Sequence, residues 1–309
     1  MKNRKICVIL NVGSGKKDVN SQPQSIHAAF ALYGVEITLK TIKKGVELTM
    51  ETQKAVDEGY TTIVAAGGDG TVCAVAQIIS ASKAVMGILP LGTFNYFARS
   101  LNLPMGIDAA AKVITAGHAM PLRVATVNGS MFLNNASIGV YPAILKTRED
   151  IYRRWGRSRM AAYVSVIKTL ITERRPLRLR ITLDGKSRDI RSPLVFVVNN
   201  AYQLQQMSVS GTDKIEAGEL AVFIAPDTGR FGMIRLAVSL ALRSQSFERD
   251  FELVGAKEIL IENNDGRAHK KRTIAKDGER ERMQAPLRFR VVNEALSILV
   301  PDGQPGHVR

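Results

Sequence analysis

Three glycines surround a single carboxylate in the segment GGDGT at 67–71, directly after an apolar run at 61–66. Two more glycine-containing turns, NVGSGKK at 11–17 and PLGTFN at 90–95, also follow apolar runs. Glycine lets the backbone approach a phosphate closely, and glycines at positive φ turn their N–H groups inward to form an anion-binding nest. Ligands of an open parallel sheet bind beyond the carboxyl ends of its strands, so the three turns predict a site for nucleotide phosphates.

The carboxylate of Asp69 needs its own explanation, because a carboxylate and a phosphate repel each other. It fits beside a phosphate if Mg²⁺ bridges the two anions, or if it contacts an acceptor hydroxyl. The alternative is structural, with Asp69 capping a helix predicted over 70–82. That helix would direct its positive end at the same anion, with hydroxyl donors from Thr71 and Thr93 and positive charge from Lys16 and Lys17.

Several other site types are excluded by the motifs. The chain has no GxxxxGK[ST] of a P-loop NTPase, and the absence of GxGxxG after the first strand argues against a dinucleotide oxidoreductase. The two cysteines, Cys7 and Cys73, lie in or beside apolar runs, so we expect both to be buried and reduced. The four histidines show no metal-binding spacing, so we expect no zinc site.

The elements that must position these turns alternate between strand and helix from residue 1 to about 120. We predict strands at 5–11, 34–41, 61–66 and 84–90, and helices at 21–33, 45–58, 70–82 and 107–117. Strands that alternate with helices of this length predict a doubly wound parallel sheet.

The pattern changes after Pro121 to short strand-like runs bounded by Gly, Asn, Asp or Pro. These runs lie at 122–129, 130–137, 177–185, 193–200, 219–226, 257–262, 272–279, 287–292 and 295–301. Helical stretches at 158–173 and 230–243 interrupt them. We therefore predict a nucleotide-binding α/β domain at 1–126 and an antiparallel β-sandwich domain at 127–309, with the return of the last strand to the first domain left open.

Composition favours a globular protein with an anionic partner. The 309 residues are 45% hydrophobic and 23% charged, and the net charge of +15 is concentrated after residue 126. Such a charge suits nucleic acid, an anionic bilayer, nucleotide phosphate or a plain solvated surface. The first apolar run is too short for a signal peptide and no run is long enough to cross a membrane, so we expect a cytoplasmic protein. The 6% aromatic content, without an RNP-like strand, argues against nucleic acid.

Two motifs point to a known family. GGDGTV at 67–72, followed by PLGTFNYFARSLNLP at 90–104, resembles the diacylglycerol kinase catalytic-domain family of bacterial lipid kinases and sphingosine kinases. NVGSG at 11–15, Thr41 four residues before Gly45, and KDGE at 276–279 extend the resemblance over nearly the whole chain. The resemblance implies a nucleotide-binding α/β domain and a β-rich lipid-binding domain. It also implies an ATP- and Mg²⁺-dependent kinase that phosphorylates a hydroxyl of diacylglycerol or a related lipid.

The resemblance also implies roles for individual residues. Asp69 would lie beside the phosphates and Mg²⁺, and Asp277 or Glu279 would enter the cleft between the domains as the general base. The alternative for Asp277-Gly278 is a hairpin turn. The implied nucleotide-binding residues are Asn11, Gly13, Ser14, Gly15, Thr41, Gly67, Gly68, Asp69, Gly70, Thr71, Val72, Thr93 and Asn95.

The sequence departs from the family pattern at three places. Cys73-Ala74 stands where Asn-Glu is common, and Phe94 stands where Gly is usual. In EAGELA at 216–221, Ala217 replaces an Asp that helps to hold a structural Mg²⁺ in some bacterial members. The acids left to substitute are Asp213, Glu216 and Glu219, and the departure puts that second metal site in doubt.

A lipid substrate requires contact with a bilayer. The basic segments 153–159, which contains Trp155, 173–180 and 269–276 are the candidates for a basic rim, since each basic residue contributes about 1 kcal/mol at an anionic surface. We therefore expect peripheral association with the inner face of the membrane, a lipid partner and no nucleic acid, and a homodimer is left open. The helix predicted over 230–243 is apolar around its circumference, which indicates packed core.

Two alternative functions remain open from the sequence. An NAD kinase shares the GGDG turn and a two-domain plan, but PLGTFNYFAR resembles the lipid kinases. A nucleotide-binding regulator or membrane adaptor without catalysis is suggested by Cys73, Phe94 and Ala217. The sequence does not select the lipid that is phosphorylated.

Overall fold

The computed structural model describes residues 4–13, 22–43, 45–155, 176–229, 232, 251–266 and 270–302, with the backbone alone in 148–155. The chain forms two compact units. Unit 1 comprises Met1–Val124 and Val292–Arg309, and unit 2 comprises Ala125–Val291.

The elements are numbered in chain order. The strands are β1 (Ile6–Asn11), β2 (Ile37–Ile42), β3 (Thr62–Gly67), β4 (Val85–Pro90), β5 (His118–Val127), β6 (Ser130–Phe132), β7 (Asn135–Gly139), β8 (Leu177–Leu183), β9 (Lys186–Ser192), β10 (Leu194–Val198), β11 (Leu220–Ile224), β12 (Glu252–Ala256), β13 (Glu258–Asn263), β14 (Lys271–Lys276), β15 (Glu279–Gln284) and β16 (Leu287–Val300). The helices are α1 (Gln22–Ala31), α2 (Gly45–Asp57), α3 (Asp69–Ile79), α4 (Tyr96–Ser100), α5 (Ile107–Ala116), α6 (Val140–Trp155), α7 (Ala201–Met207) and α8 (Thr212–Glu216).

Unit 1 is built on parallel strands in the order β2-β1-β3-β4, to which the last part of β16 adds beside β4, with Ile298 opposite Met86. Helices α1 and α5 pack together on one face, where Val8 and Val64 join their core. Successive strand residues point to opposite faces, so Cys7 and Ile9 face α2 and α3 on the other side. Coverage on both faces explains why β1 and β3 are continuous apolar runs.

Unit 2 is an antiparallel β-sandwich. One sheet has the order β12-β11-β10-β7-β14-β15, and the other contains β13, β8, β9 and the first part of β16. Their inward residues form one apolar core, which includes Ile138, Val197, Ile259 and Phe289. The outer face of the six-stranded sheet is covered by α7 and α8 through a second apolar cluster, and α6 lies against β7, β14 and β15.

The expected fold class, a parallel α/β domain followed by an antiparallel sandwich, is confirmed. Several elements differ from the sequence prediction. The runs at 287–292 and 295–301 are one strand, β16, in which Glu294 takes a left-handed φ of 51° and interrupts the alternation of buried residues. Conversely, the run at 130–137 contains two strands, β6 and the start of β7.

Other elements were not predicted at all. Strands β9 and β15 carry too many polar side chains to show an apolar run. Strand β12 has only five residues, and the short α7 and α8 have too few residues to show a helical period. The 16-residue helix α6 also went unassigned. The predicted helix at 158–173 lies outside the described residues, as does 230–243 apart from Gly232.

Candidate nucleotide and acceptor sites

The three glycine turns lie together in unit 1, because β1, β3 and β4 are parallel and end at the same edge of the sheet. Asn11, the last residue of β1, donates from Nδ2 to Thr71 Oγ1 at 2.9 Å in the first turn of α3. Its Oδ1 accepts the backbone N–H of Gly13 at 3.1 Å. The first turn is therefore bonded directly to the segment GGDGT.

The glycines allow a close approach of these segments. A Cβ on Gly92 would lie 2.4 Å from Gly68 Cα and 2.7 Å from Asn95 Oδ1, and a Cβ on Gly67 would lie 2.5 Å from Thr71 Oγ1. The turns after β3 and β4 consequently fit together only without side chains at these positions.

The expectation that these glycines adopt positive φ is wrong for the described residues. None of the glycines that the structure describes in the three turns has a positive φ, and Gly68 lies in the extended region. The left-handed residue of this region is Asn95, with φ 52°. Its side chain turns inward and donates to the carbonyls of Pro90 and Gly92, which closes the loop on itself. Asparagine tolerates this conformation better than other side chains.

Asp69 is the first residue of α3, but its carboxylate bonds to the next helix. Oδ2 accepts the N–H of Tyr96 at 3.1 Å, and Oδ1 accepts the N–H of Phe97 at 3.0 Å. These are the first two amides of α4, whose N-cap Asn95 makes no side-chain capping bond. Asp69 therefore caps α4 from a distance. The structural alternative placed Asp69 as the N-cap of its own helix, but the N-cap residue of α3 is Gly68.

The N-terminus of α3 itself has no side-chain cap, because its N-cap residue is Gly68. The first amides of an α-helix have no partner within the helix, and together with the helix dipole they favour an anion. This helix end lies beside Gly92 and at the carboxyl edge of the sheet. Chemically, the arrangement suits a phosphate group.

The predicted nucleotide-binding residues separate by exposure into two groups. The buried ones position the loops: Gly67, Thr71, Val72 and Asn95. The exposed or half-buried ones are accessible to a ligand: Asn11, Gly13, Thr41, Gly68, Asp69, Gly70 and Thr93. Ser14, Gly15, Lys16 and Lys17 lie outside the described residues.

The three turns fit a magnesium ion only together with the phosphates of a nucleotide. Asp69 is the sole carboxylate in the described parts of the three turns. Among the residues that the structure describes, no three His, Cys, Asp or Glu side chains are grouped to hold a metal ion. Kinase sites hold Mg²⁺ through one or two carboxylates and the substrate phosphates. The donor set thus fits magnesium carried by a nucleotide, with Asp69 as its acidic neighbour.

Asp277 and Glu279 lie at a tight turn in unit 2. Asp277 and Gly278 join β14 to β15 with φ values of 48° and 87°, as in a two-residue hairpin with both central residues left-handed. The Asp277 carboxylate accepts the amides of Leu133, Asn134 and Asn135 at 2.8, 2.8 and 3.1 Å. The hairpin alternative therefore describes Asp277 correctly, and the carboxylate also orders the 133–135 turn. Glu279, the first residue of β15, is exposed.

Two domain models match this chain. The diacylglycerol kinase catalytic domain matches residues 5–127, and the YegS C-terminal NAD kinase beta sandwich-like domain matches residues 137–300, more than half of the chain. The chain belongs to the diacylglycerol kinase catalytic-domain family. The resemblance read from GGDGTV and PLGTFN is thereby confirmed.

Relatives within this family share part of the chain. A diacylglycerol kinase of Staphylococcus aureus is 31% identical over 134 residues, 43% of this chain and 42% of that protein. A Pseudomonas aeruginosa protein named "Probable lipid kinase YegS-like" is 33% identical over 168 residues, 53% of this chain and 54% of that protein. The chain thus spans about half of the length of the curated relatives that it matches. A solved diacylglycerol kinase from Bacillus anthracis shares the fold, with a TM-score of 0.68 and 22% identity across both whole chains.

The family's second metal segment is altered in this member. Ala217 ends the short helix α8, and Asp213 forms an ion pair with the neighbouring Lys214 at 3.1 Å. The side chain of Glu219 lies over Gly255, where it would clash with a Cβ. Glu216 is exposed. The structure gives the acids of this segment no common centre.

Phe94, which replaces the usual glycine of the family, is 63% exposed. Its ring stacks on Tyr96 with the centroids 5.5 Å apart and the planes 2° apart. The pair lies on the loop beside Thr93, so the departure adds an aromatic surface at this edge of unit 1.

The expectations about cysteines and basic segments have different outcomes. Cys7 and Cys73 are both buried and neither forms a disulfide, as expected, and burial raises the pKa of Cys7 to about 11. The basic segments are described only in part, since residues 156–159, 173–175 and 269 lie outside the described residues.

Among the helices that the structure describes, none combines the length and apolar character that a membrane crossing needs.

Proposed function

We propose that the protein is an ATP- and magnesium-dependent lipid kinase that transfers the γ-phosphate to a hydroxyl of diacylglycerol or a related lipid. The observation that carries this proposal is the interlocking of three turns at the carboxyl edge of the unit 1 sheet. Asn11 is bonded to Thr71, Gly68 packs on Gly92, and Asp69 caps α4. Membership of the diacylglycerol kinase catalytic-domain family supports it.

In this proposal, the phosphates lie at the N-terminus of α3, beside Gly68 and Thr93. When bound, ATP supplies the phosphoryl group and its magnesium ion neutralises the phosphate charge. The chain orients the nucleotide through backbone amides, because Asn95 and Asp69 hold the loop after β4 in one conformation. Such preorganised donors cost no rearrangement when charge develops.

The general base that we propose is Glu279. The carboxylate oxygens of Asp277 already accept three backbone amides, so we propose that Asp277 orders the turn at 133–135. Glu279 is exposed one residue beyond Gly278, which leaves its carboxylate accessible to an acceptor hydroxyl. A base of this kind typically contributes about 10²–10⁴-fold to the rate.

We also propose that the protein acts in the cytoplasm on lipid presented at the inner face of the membrane. The net charge of +15 supports this, because an anionic leaflet attracts basic surfaces.

The test is transfer of labelled γ-phosphate from ATP to lipids in mixed micelles, with and without EDTA. Labelled lipid that disappears with EDTA supports the proposal. Glu279→Gln should lower kcat about 100-fold or more with native folding. The matched control is Glu281→Gln, two residues along the same strand and also exposed, which should keep kcat.

Three results would contradict this assignment. Formation of NADP without labelled lipid would indicate an NAD kinase. Normal nucleotide binding without transfer to any acceptor would indicate a regulator. Full activity of Glu279→Gln would show that Glu279 is not the general base.

A further inference from the structure

Phe94, which is 63% exposed, is the most exposed aromatic side chain among the residues that the structure describes. It stands where the diacylglycerol kinase catalytic-domain family usually has glycine, so the ring is an addition of this chain. A partner that covers the ring would remove apolar area from water, which is favourable. The exposed ring therefore raises the question of what covers it.

The ring of Phe94 is held in place by its own loop. It stacks on Tyr96 in a parallel arrangement, with the ring centroids 5.5 Å apart. The backbone carbonyl of Phe94 accepts a hydrogen bond from Arg99 Nε at 3.0 Å, and the side chain of Asn95 closes the loop on itself. A ring that is already ordered loses little conformational entropy when a partner binds it. We call Phe94 and Tyr96 the aromatic pair.

The strand order of unit 1 places the aromatic pair on one side of the phosphate site. The order is β2-β1-β3-β4; Thr41 and Asn11 lie at the ends of β2 and β1, Gly68 follows β3, and Phe94 follows β4. A nucleotide that contacts Thr41 and Asn11, with its phosphates at Gly68, directs its terminal phosphate toward the loop after β4. The aromatic pair then lies beyond the terminal phosphate, on the side where the acceptor must approach.

The charge around the aromatic pair suits an anionic surface. The segment 91–107, between β4 and α5, contains Arg99 and no other charged residue. Asp69, the acid bonded to this segment, has both carboxylate oxygens turned to amides of α4. A cation that meets a negative lipid surface from this loop is therefore attracted without a repelling acid in the same segment.

The size of the apolar surface favours a bilayer over a protein partner. Phe94 is the one large apolar side chain of segment 91–107 that is exposed, and its exposed neighbours Thr93 and Arg99 are polar. A stable protein interface needs a much larger contiguous patch. A bilayer interface takes up single aromatic rings, and arginine beside them reaches the level of the head groups.

We propose that the aromatic pair is a membrane anchor, in which Phe94 inserts into the interface of an anionic bilayer and Arg99 lies among the lipid phosphates. The inference rests on the proposed lipid kinase function and names the part of unit 1 that meets the membrane. The anchor holds the phosphate site at the depth where a lipid hydroxyl is presented. It acts by positioning and takes no part in the transfer.

The first experiment measures sedimentation of the protein with vesicles of phosphatidylcholine and phosphatidylglycerol, without diacylglycerol and without ATP. Phe94→Ser should raise the Kd for the vesicles about 10-fold, which corresponds to the burial of part of one ring. The ratio between variant and wild type should persist as salt is raised, because salt screens charges and not apolar contact. The matched control is Leu32→Ser, which should bind like wild type. Leu32 is 71% exposed and lies between α1 and β2, at the opposite edge of the sheet.

The second experiment reports on the position itself. Trp155 is the one tryptophan of the chain, so Trp155→Phe provides a background without tryptophan emission. In that background, Phe94→Trp should shift its emission to shorter wavelength when the same vesicles are added, and brominated lipid should quench it. Leu32→Trp, the matched control, should show neither change.

Other outcomes separate the inference from the proposed function. Equal vesicle binding by Phe94→Ser and wild type, with labelled lipid still formed, would overturn the anchor and leave the kinase intact. An equal loss of binding in Leu32→Ser would also overturn it, because exposed apolar area anywhere on the chain would then explain the binding. Quenching of Phe94→Trp by ATP, without a response to vesicles, would show that the ring stacks on the nucleotide base instead. If both vesicle experiments give the expected result but no lipid is phosphorylated, the anchor stands and the kinase does not.

Discussion

Asp69→Asn separates the structural role of this acid from a role in binding metal or nucleotide. In the protein without nucleotide, both oxygens of Asp69 accept amides at the start of α4. An asparagine retains one acceptor oxygen and presents an N–H₂ group to the other amide. One charge-assisted bond is therefore lost, the other becomes neutral, and one amide of Tyr96 or Phe97 faces a donor.

The expected cost follows from these two contacts. A hydrogen bond to a charged group contributes about 1.5–3 kcal/mol, and a neutral one about 1 kcal/mol. Asp69 is half-buried, so solvent recovers part of the loss. We expect the opening of α4 to become easier by about 2–3 kcal/mol, which corresponds to an increase in amide exchange of about 30- to 150-fold.

Hydrogen exchange measured by mass spectrometry on nucleotide-free protein, without magnesium, is the direct assay. Peptides that cover Tyr96–Ser100 should exchange faster in Asp69→Asn. The control is Asp108→Asn, because Asp108 is an exposed acid in the first turn of α5 and affects only the helix dipole, by about 0.3–1 kcal/mol. Unchanged exchange in α4, together with loss of magnesium-dependent nucleotide binding, would refute the capping role and make Asp69 a ligand only.

Three further predictions concern stability. Gly92→Ala places a Cβ 2.4 Å from the backbone of Gly68, so the urea midpoint should fall by the equivalent of about 1–3 kcal/mol, and an unchanged midpoint would show that the two turns do not interlock. The guanidinium of Arg4 donates to the C-terminal carbonyls of α5, so Arg4→Ala should cost about 1–3 kcal/mol in urea unfolding, and a cost below about 0.5 kcal/mol would contradict these bonds. Burial raises the pKa of Cys7 from 9.0 to about 11, so its thiol stays protonated in the folded chain while the unfolded thiol ionises, and stability should decline between these pH values. The decline should be smaller in Cys7→Ala and unaltered in Cys73→Ala, and equal slopes in both variants would be inconsistent with this shift.

The sequence predicted the positions of the turns of unit 1, but the predicted role of their glycines was wrong. Parallel strands end at one edge, so NVGSG, GGDGT and PLGTFN could be expected to meet from strand order alone. Positive φ was expected of the glycines, whereas Gly67 and Gly92 serve contacts with side chains and backbone of other segments. A backbone contact between distant residues has no signal in local composition.

The partners of Asp69 are another contact between distant residues that local composition does not predict. Local pattern offered a cap of its own helix as the structural alternative for Asp69, and the structure shows that it caps α4, which begins 27 residues and one strand later in the chain. Asn95, which precedes α4, takes a left-handed conformation and uses its side chain within the loop. The helix must therefore obtain its cap from elsewhere, which a reading of neighbouring residues could not reveal.

In unit 2, the sequence did not predict that Asn135 and Ser137 are buried. Two asparagine pairs, NNAS at 134–137 and NNAYQ at 199–203, each lie at the edge of an apolar strand. Short polar residues beside a strand usually indicate a turn. Only strand pairing shows that β7 lies between β10 and β14, which buries Asn135 and Ser137.

The amino-acid sequence by itself determined the fold class, the positions of the glycine turns and the family, because periodicity, turn chemistry and motifs are properties of neighbouring residues. Tertiary structure decided which atoms those residues contact: the partner of Asp69, the collisions that make Gly92 necessary, and the burial of Asn135 and Ser137 on β7. Those properties depend on residues far apart in the chain, whose distances are set by the packing of strands and helices.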